Sequence, residues 1–169
     1  MNKFRLSQLP NELKILVGMF VLVLSIGFFT GINFVHFTTN GTPHGIEENY
    51  LGNEDNLEAI EMKFKKTEAQ MLNISHTHIL SMSIIFFLLS ILVYFTSIAS
   101  YLKKFLMFEA LLSVLLTFGG IYLVWLNIAW MKYIVMISGS LMIFSFVLSV
   151  LFITKELIKK KPSDNVLNL

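Results

Sequence analysis

The chain has 169 residues, 55% hydrophobic and 14% charged, with a formal net charge of +2 and a mean hydropathy of +0.70. That much apolar surface cannot be hidden inside a soluble fold of this length, so composition excludes an ordinary globular enzyme and places the chain in a bilayer. Cysteine is absent, which excludes disulfides, iron–sulfur clusters and thiolate metal sites, and a charge near neutrality offers no handle for nucleic acid.

A spanning helix needs ~20 predominantly apolar residues. In chain order, residues 15–37 form the first candidate. Its apolar run is too long for the core of a signal peptide, and no small-residue cleavage site follows Gly31, so it reads as a retained helix. Residues 38–75 are the only sizeable extramembrane piece, with Glu47, Glu48, Glu54, Asp55, Glu58, Glu61 and Glu68 against Lys63, Lys65 and Lys66. This segment opens with Asn40-Gly41-Thr42-Pro43-His44-Gly45, turn formers that cannot continue a helix. From Asn56 onward, Leu57, Ile60, Phe64 and Met71 recur at helical spacing with charges between them. That pattern predicts a short amphipathic helix lying on the membrane or capping the bundle. The alternatives are a solvated acidic loop and an acidic docking face for a basic partner.

Three closely joined spans follow, at 79–101, 105–126 and 131–153. Glu109 is the one carboxylate in the third span. It is expected to snorkel towards Lys103 and Lys104 and pair there; the alternative is a proton or quinone site. Trp125, Asn127, Trp130 and Tyr133 read as an interfacial aromatic belt. The lysine-rich stretch 159–169 reads as a disordered tail able to touch anionic lipid. The expected fold class is therefore all-α: an integral membrane up-down four-helix bundle, one domain over 1–158, whose outer loop carries a short amphipathic helix.

Lys and Arg mark the cytoplasmic side. Nine lie at the N-terminus, the second connection and the C-terminus (Lys3, Arg5, Lys14, Lys103, Lys104, Lys155, Lys159, Lys160, Lys161), against four in the other connections (Lys63, Lys65, Lys66, Lys132). Both termini are thus expected in the cytoplasm, with the bacterial cytoplasmic membrane as the setting.

By that topology all four histidines, His36, His44, His76 and His78, fall on the outer side. Imidazole is a common ligand for haem iron and for transition metals. His36 ends the first span and His76-Thr77-His78 begins the second, so two antiparallel helices carry imidazole at similar depth. Positions two apart on a helix differ by roughly 200°, so His76 and His78 cannot both face one gap. Heptad steps from His76 run through Ser83, Ser90 and Ser97, a small-residue contact row, whereas His78 continues the Leu57, Phe64, Met71 stripe. The sequence leaves the inward residue open, with the serine row favouring His76. Gly27-x-x-x-Gly31, Gly119-Gly120 and Ser138-Gly139-Ser140 lie in the same outer half. There they either pack helices closely or leave room for a flat cofactor. One outer-side haem b, held by His36 with His76 or His78 and with His44 in reserve, is the cofactor expectation. Copper or zinc on His36, His76 and His78, with Met62, Met71 and Met82 as soft ligands, is its competitor.

The stretch from Glu68 to Ser83, Glu-Ala-Gln-Met-Leu-Asn-Ile-Ser-His-Thr-His-Ile-Leu-Ser-Met-Ser, together with Gly41 to Gly45, resembles a His-x-His signature of uncharacterised bacterial four-helix membrane proteins associated with respiratory cytochromes. The layout is similar to that of four-helix b-type cytochrome anchors, and this resemblance implies an electron-transfer setting. Those anchors place histidines deeper or at both faces, whereas this chain has none in the inner half. No G-x-S-x-G, P-loop or H-E-x-x-H constellation occurs, so no catalysis is expected of the chain alone. The expected function is a membrane redox subunit taking part in electron transfer, in contact with lipid and with a respiratory or cytochrome partner, or with another copy of itself. The competing expectation is a cofactor-free scaffold or assembly subunit.

Overall fold

The computed structural model describes residues 4–56, 59 and 61–159. Among them the structure is all-helical. Four helices are long and apolar enough to cross a membrane: α1 (Asn11–Thr39), α3 (Glu68–Tyr94), α4 (Ser100–Trp125) and α5 (Met131–Ile158), with the short α2 (Pro43–Leu51) between the first two. The shortest of the four spans has 26 residues, which at 1.5 Å per residue is ~39 Å and exceeds the ~30 Å hydrocarbon thickness. A single 3-10 turn, Leu6–Gln8, precedes α1. The chain runs up and down, so both described termini meet at one end of the bundle, here the terminal end, and α2 sits at the other, the loop end.

The spans are where hydropathy puts them, but their ends are set by caps and tertiary bonds. The second runs over Glu68–Tyr94 rather than 79–101. Thr67 caps its start: the hydroxyl accepts from the Gln70 amide and the Gln70 side chain accepts from the Thr67 amide, a reciprocal arrangement that satisfies two orphan donors. α4 contains a π turn at Leu115–Gly119. There Gly120 permits contact with α5, since a Cβ would lie 2.7 Å from a Val135 methyl.

Two local expectations are corrected. First, Asn40 does end α1, in left-handed geometry at φ 52°, but the turn leads directly into a helix. Thr42 caps α2 by accepting from the Gly45 amide, and Pro43 occupies its first turn, where a missing N–H costs nothing. Second, among the described residues between Asn56 and Thr67 there is no helix. Leu57 and Ile60 lie outside the described residues, residues 62–67 are non-helical, and Phe64 is 68% exposed. Their backbone bonds go sideways instead. Asn53 donates its amide to the Lys63 carbonyl (2.9 Å) and its side-chain NH2 to the Glu61 carbonyl (3.0 Å), while its side-chain oxygen accepts from the Lys63 amide (2.6 Å). Gly52, at φ 85°, allows this close approach, for a Cβ would lie 2.6 Å from the Lys65 nitrogen. The short loop helix exists, but in the first half of the loop.

The core lies between α3, α4 and α5. Phe86, Leu89 and Val93 of α3 meet Leu106, Ala110 and Val114 of α4 and Phe146 and Ile153 of α5, all buried. α1 contributes the buried Val21 and the partly buried Val17, Phe20, Leu24 and Phe28. The Phe28 ring stacks on Phe146 at 3.8 Å, and Phe86 meets both edge-on at 6.2 Å, the latter being the geometry ring quadrupoles favour. Otherwise α1 is uncovered: 6% of its apolar stretch is buried, against 39% for α4.

Candidate functional site

The loop end carries the histidines. α2 is fastened to the bundle by an ion pair between Glu47 and Lys132 at the start of α5. Lys63 donates to the Thr38 carbonyl (2.8 Å), and the Trp125 indole to that of Lys66 (2.7 Å). Tyr50 accepts the Lys66 amide on its carbonyl (3.2 Å). Burial raises the Tyr50 phenol above its ordinary pKa, a hydrogen bond with Asn49 offsetting part of the rise.

On this frame all four imidazoles are exposed. His44 meets Glu48 one turn later (3.3 Å). His36 lies beside Gly41, where a Cβ would stand 3.2 Å from its Nδ1. His78 contacts α4: its ring stacks on Phe118 at 4.8 Å, its Nδ1 is 2.9 Å from the Ile74 carbonyl, and nearby Ser75 donates to the Phe118 carbonyl. Of the pair it is thus His78, not the one favoured by the serine row, that makes contact with a neighbouring helix. His78, Met82, Phe86 and Leu89 form the face on which α3 meets its neighbours. Among the described residues no three His, Asp or Glu gather as a metal-binding group. The helices bearing His36 and His76 or His78 meet through Phe28 and Phe86, eight residues or ~12 Å along α1 from His36.

The glycines divide in a way the sequence did not reveal. Gly120 tightens the α4–α5 contact and a Cβ on Gly139 would rest in ordinary contact with Thr117 (3.9 Å), whereas a Cβ on Gly18, Gly27 or Gly31 would meet nothing within 4 Å. The Gly27-x-x-x-Gly31 notch therefore opens away from the rest of the chain.

Two carboxylates, one on α4 and one on α5, make hydrogen bonds between elements of the bundle. Glu109 accepts from Ser113 on its own helix and from Ser145 across on α5. The expected pairing with lysine is not seen among the described residues; Lys103 turns back to the Tyr94 (2.8 Å) and Thr96 (2.6 Å) carbonyls. A second link lies farther along the same helix pair, where the Thr117 and Ser138 hydroxyls are 2.8 Å apart. Glu156, which sequence reasoning missed, is 2% exposed. It accepts from the Ser7 hydroxyl (3.2 Å), from the Ser97 hydroxyl (2.6 Å) and amide (3.1 Å), and from Lys159 (2.7 Å). The available signal was an acid in the last turn of an apolar helix, where the macrodipole disfavours it unless something compensates.

A family model for a transmembrane helical domain matches residues 40–164. The chain belongs to that family. It is an integral membrane protein by this match and by its four apolar helices. The matched region begins just after α1 and takes in α2, α3, α4 and α5. No curated protein and no solved structure matches the chain.

Proposed function

We propose that this protein is a structural subunit of the membrane, a bundle that presents its first span to another membrane helix. The observation that carries this reading is α1 itself, which its own chain leaves almost bare, with Gly27 and Gly31 open to the outside. Lipid tails are as apolar as leucine, so spans associate through close backbone approach at such small residues. The test is association in native membranes. The cysteine-free chain accepts a single Val23→Cys reporter on the exposed side of α1. Oxidative crosslinking should yield a species larger than the 19.4 kDa chain, and adding Gly27→Leu and Gly31→Leu should abolish it while leaving the melting temperature unchanged. A chain that stays monomeric throughout overturns the proposal.

One observation favours a second reading, the redox subunit. If the His78 Nδ1–H donates to the Ile74 carbonyl, Nε2 keeps its lone pair for a metal, the arrangement ligating histidines commonly use. As they stand, the exposed imidazoles do not enclose a haem. The visible spectrum and metal content of protein purified from haem- and metal-supplied cells separate the readings. A Soret band lost in His36→Ala and in His76→Ala or His78→Ala supports haem b; bound copper or zinc lost in the same variants supports the metal site.

A further inference from the structure

We propose that the groove between α1 and α5 at the terminal end binds one anionic phospholipid, its headgroup at Lys14 and an acyl chain in the trough below. Two cavities open between these helices and share Lys14, Leu157 and Ile158. A polar mouth of about 650 Å³ is edged by Gln8, Asn11 and Lys159, and an apolar trough of about 450 Å³ runs past Gly18, Leu22 and Val150 to Ser25. From Lys14 to Ser25 the trough covers eleven residues, or ~16 Å, close to one leaflet's hydrocarbon depth. The trough is open at Gly18, where a Cβ would meet nothing within 4 Å.

Charge selects the occupant. Lys14 donates to the Lys159 carbonyl (3.2 Å) and has no carboxylate partner among the described residues. Lys155, in the last turn of α5, is exposed and likewise without an ion pair there. Lys159 neutralises Glu156, and Glu12 lies two residues from Lys14, on the opposite side of α1. A mouth whose lining holds one cation without a carboxylate partner, Lys14, with Lys155 exposed on α5 beyond the lining, above an apolar trough at the bilayer edge, has the two-part chemistry of a lipid phosphate and its chain. Basic pockets between spans on the cytoplasmic side recognise anionic headgroups in this manner, and the lysine distribution assigns the terminal end to that side.

The full chain is reconstituted in vesicles of phosphatidylcholine alone and of phosphatidylcholine with phosphatidylglycerol, and its thermal unfolding is compared. A bound lipid stabilises by mass action, so the melting temperature should be higher with phosphatidylglycerol. Lys14→Gln should remove that difference. Gly18→Leu, which fills the trough, should remove it too, whereas Lys104→Gln, on the same side but outside the groove, should preserve it. Equal melting in the two vesicles overturns the proposal. So does equal loss in Lys104→Gln, which marks general surface charge, or a preference surviving Gly18→Leu. A preference gained only when the chain is cut after Lys159 also overturns it, by assigning the groove to residues 160–169.

Discussion

Glu156 carries more of the terminal end than any other side chain. A buried carboxylate is tolerated only when its acceptor positions are filled, and here the donors come from three separate parts of the chain: Ser7, Ser97 and Lys159. Glu156→Ala should cost ~3–5 kcal/mol, because removing one partner strands the rest of a buried polar cluster. Ser97→Ala, which keeps the backbone bond, should cost ~1–3 kcal/mol. Thermal unfolding in detergent ranks the two, and equal effects would contradict the geometry. Tyr50 gives a pH-dependent counterpart. Its phenol is harder to ionise in the folded protein than in the unfolded chain. The stability it confers is therefore complete below the unfolded pKa of ~10 and is lost as pH rises through the higher folded value. Tyr50→Phe should flatten the alkaline end of the stability profile. At this scale the histidines were legible as a group at one end of the bundle, but their directions were not: whether His76 or His78 turns inward depends on where Phe118 of α4 lies, and heptad counting along one helix contains no information about its neighbour.

At the scale of elements, the spans were readable because membrane insertion depends on length and hydropathy, properties local to each segment. Their ends and the outer loop were not, because long-range bonds decide them. Pro43 reads as a helix breaker in isolation and as a helix starter once Thr42 is seen to cap it. The apolar stripe through Phe64 has helical spacing, yet Asn53 draws the backbone around it into cross-chain bonds. Phe64→Asp should accordingly change stability by no more than ~0.5 kcal/mol, as for an ordinary surface site. Met71→Asp, at a fully buried position at the start of α3, should unfold the loop end. The α1–α2 junction is tested by Gly45→Ala, whose Cβ would stand 1.8 Å from the Thr39 carbonyl oxygen. That substitution should release α2 and expose residues 40–67 to limited proteolysis, with Thr42→Ala a milder loss of ~1 kcal/mol.

For the whole molecule, the distribution of basic residues and the shared end of both termini combine into a testable orientation. Glu12 and Asp55 are exposed at opposite ends of the bundle. In intact cells an impermeant thiol reagent should label Asp55→Cys and should reach Glu12→Cys only after permeabilisation; the reverse pattern would invert the molecule. Which face of the bundle is left bare was beyond the sequence, since every span is apolar all round and only packing shows that α3, α4 and α5 cover one another while α1 does not.

The bond from Ser7 to Glu156 joins residues 149 positions apart, which sets the order of assembly. A ribosome releases the N-terminal turn long before it makes its acceptor, so α1 must enter the bilayer alone and wait there, held by its own hydropathy. The final turn of α5 then adds the last fastening to a segment already held at Phe95, whose carbonyl accepts from the Leu6 amide (3.1 Å). A chain whose synthesis stops short of residue 156 should insert its spans and still lack that last fastening, leaving Ser7 and Ser97 without their shared acceptor and the product open to quality-control proteolysis.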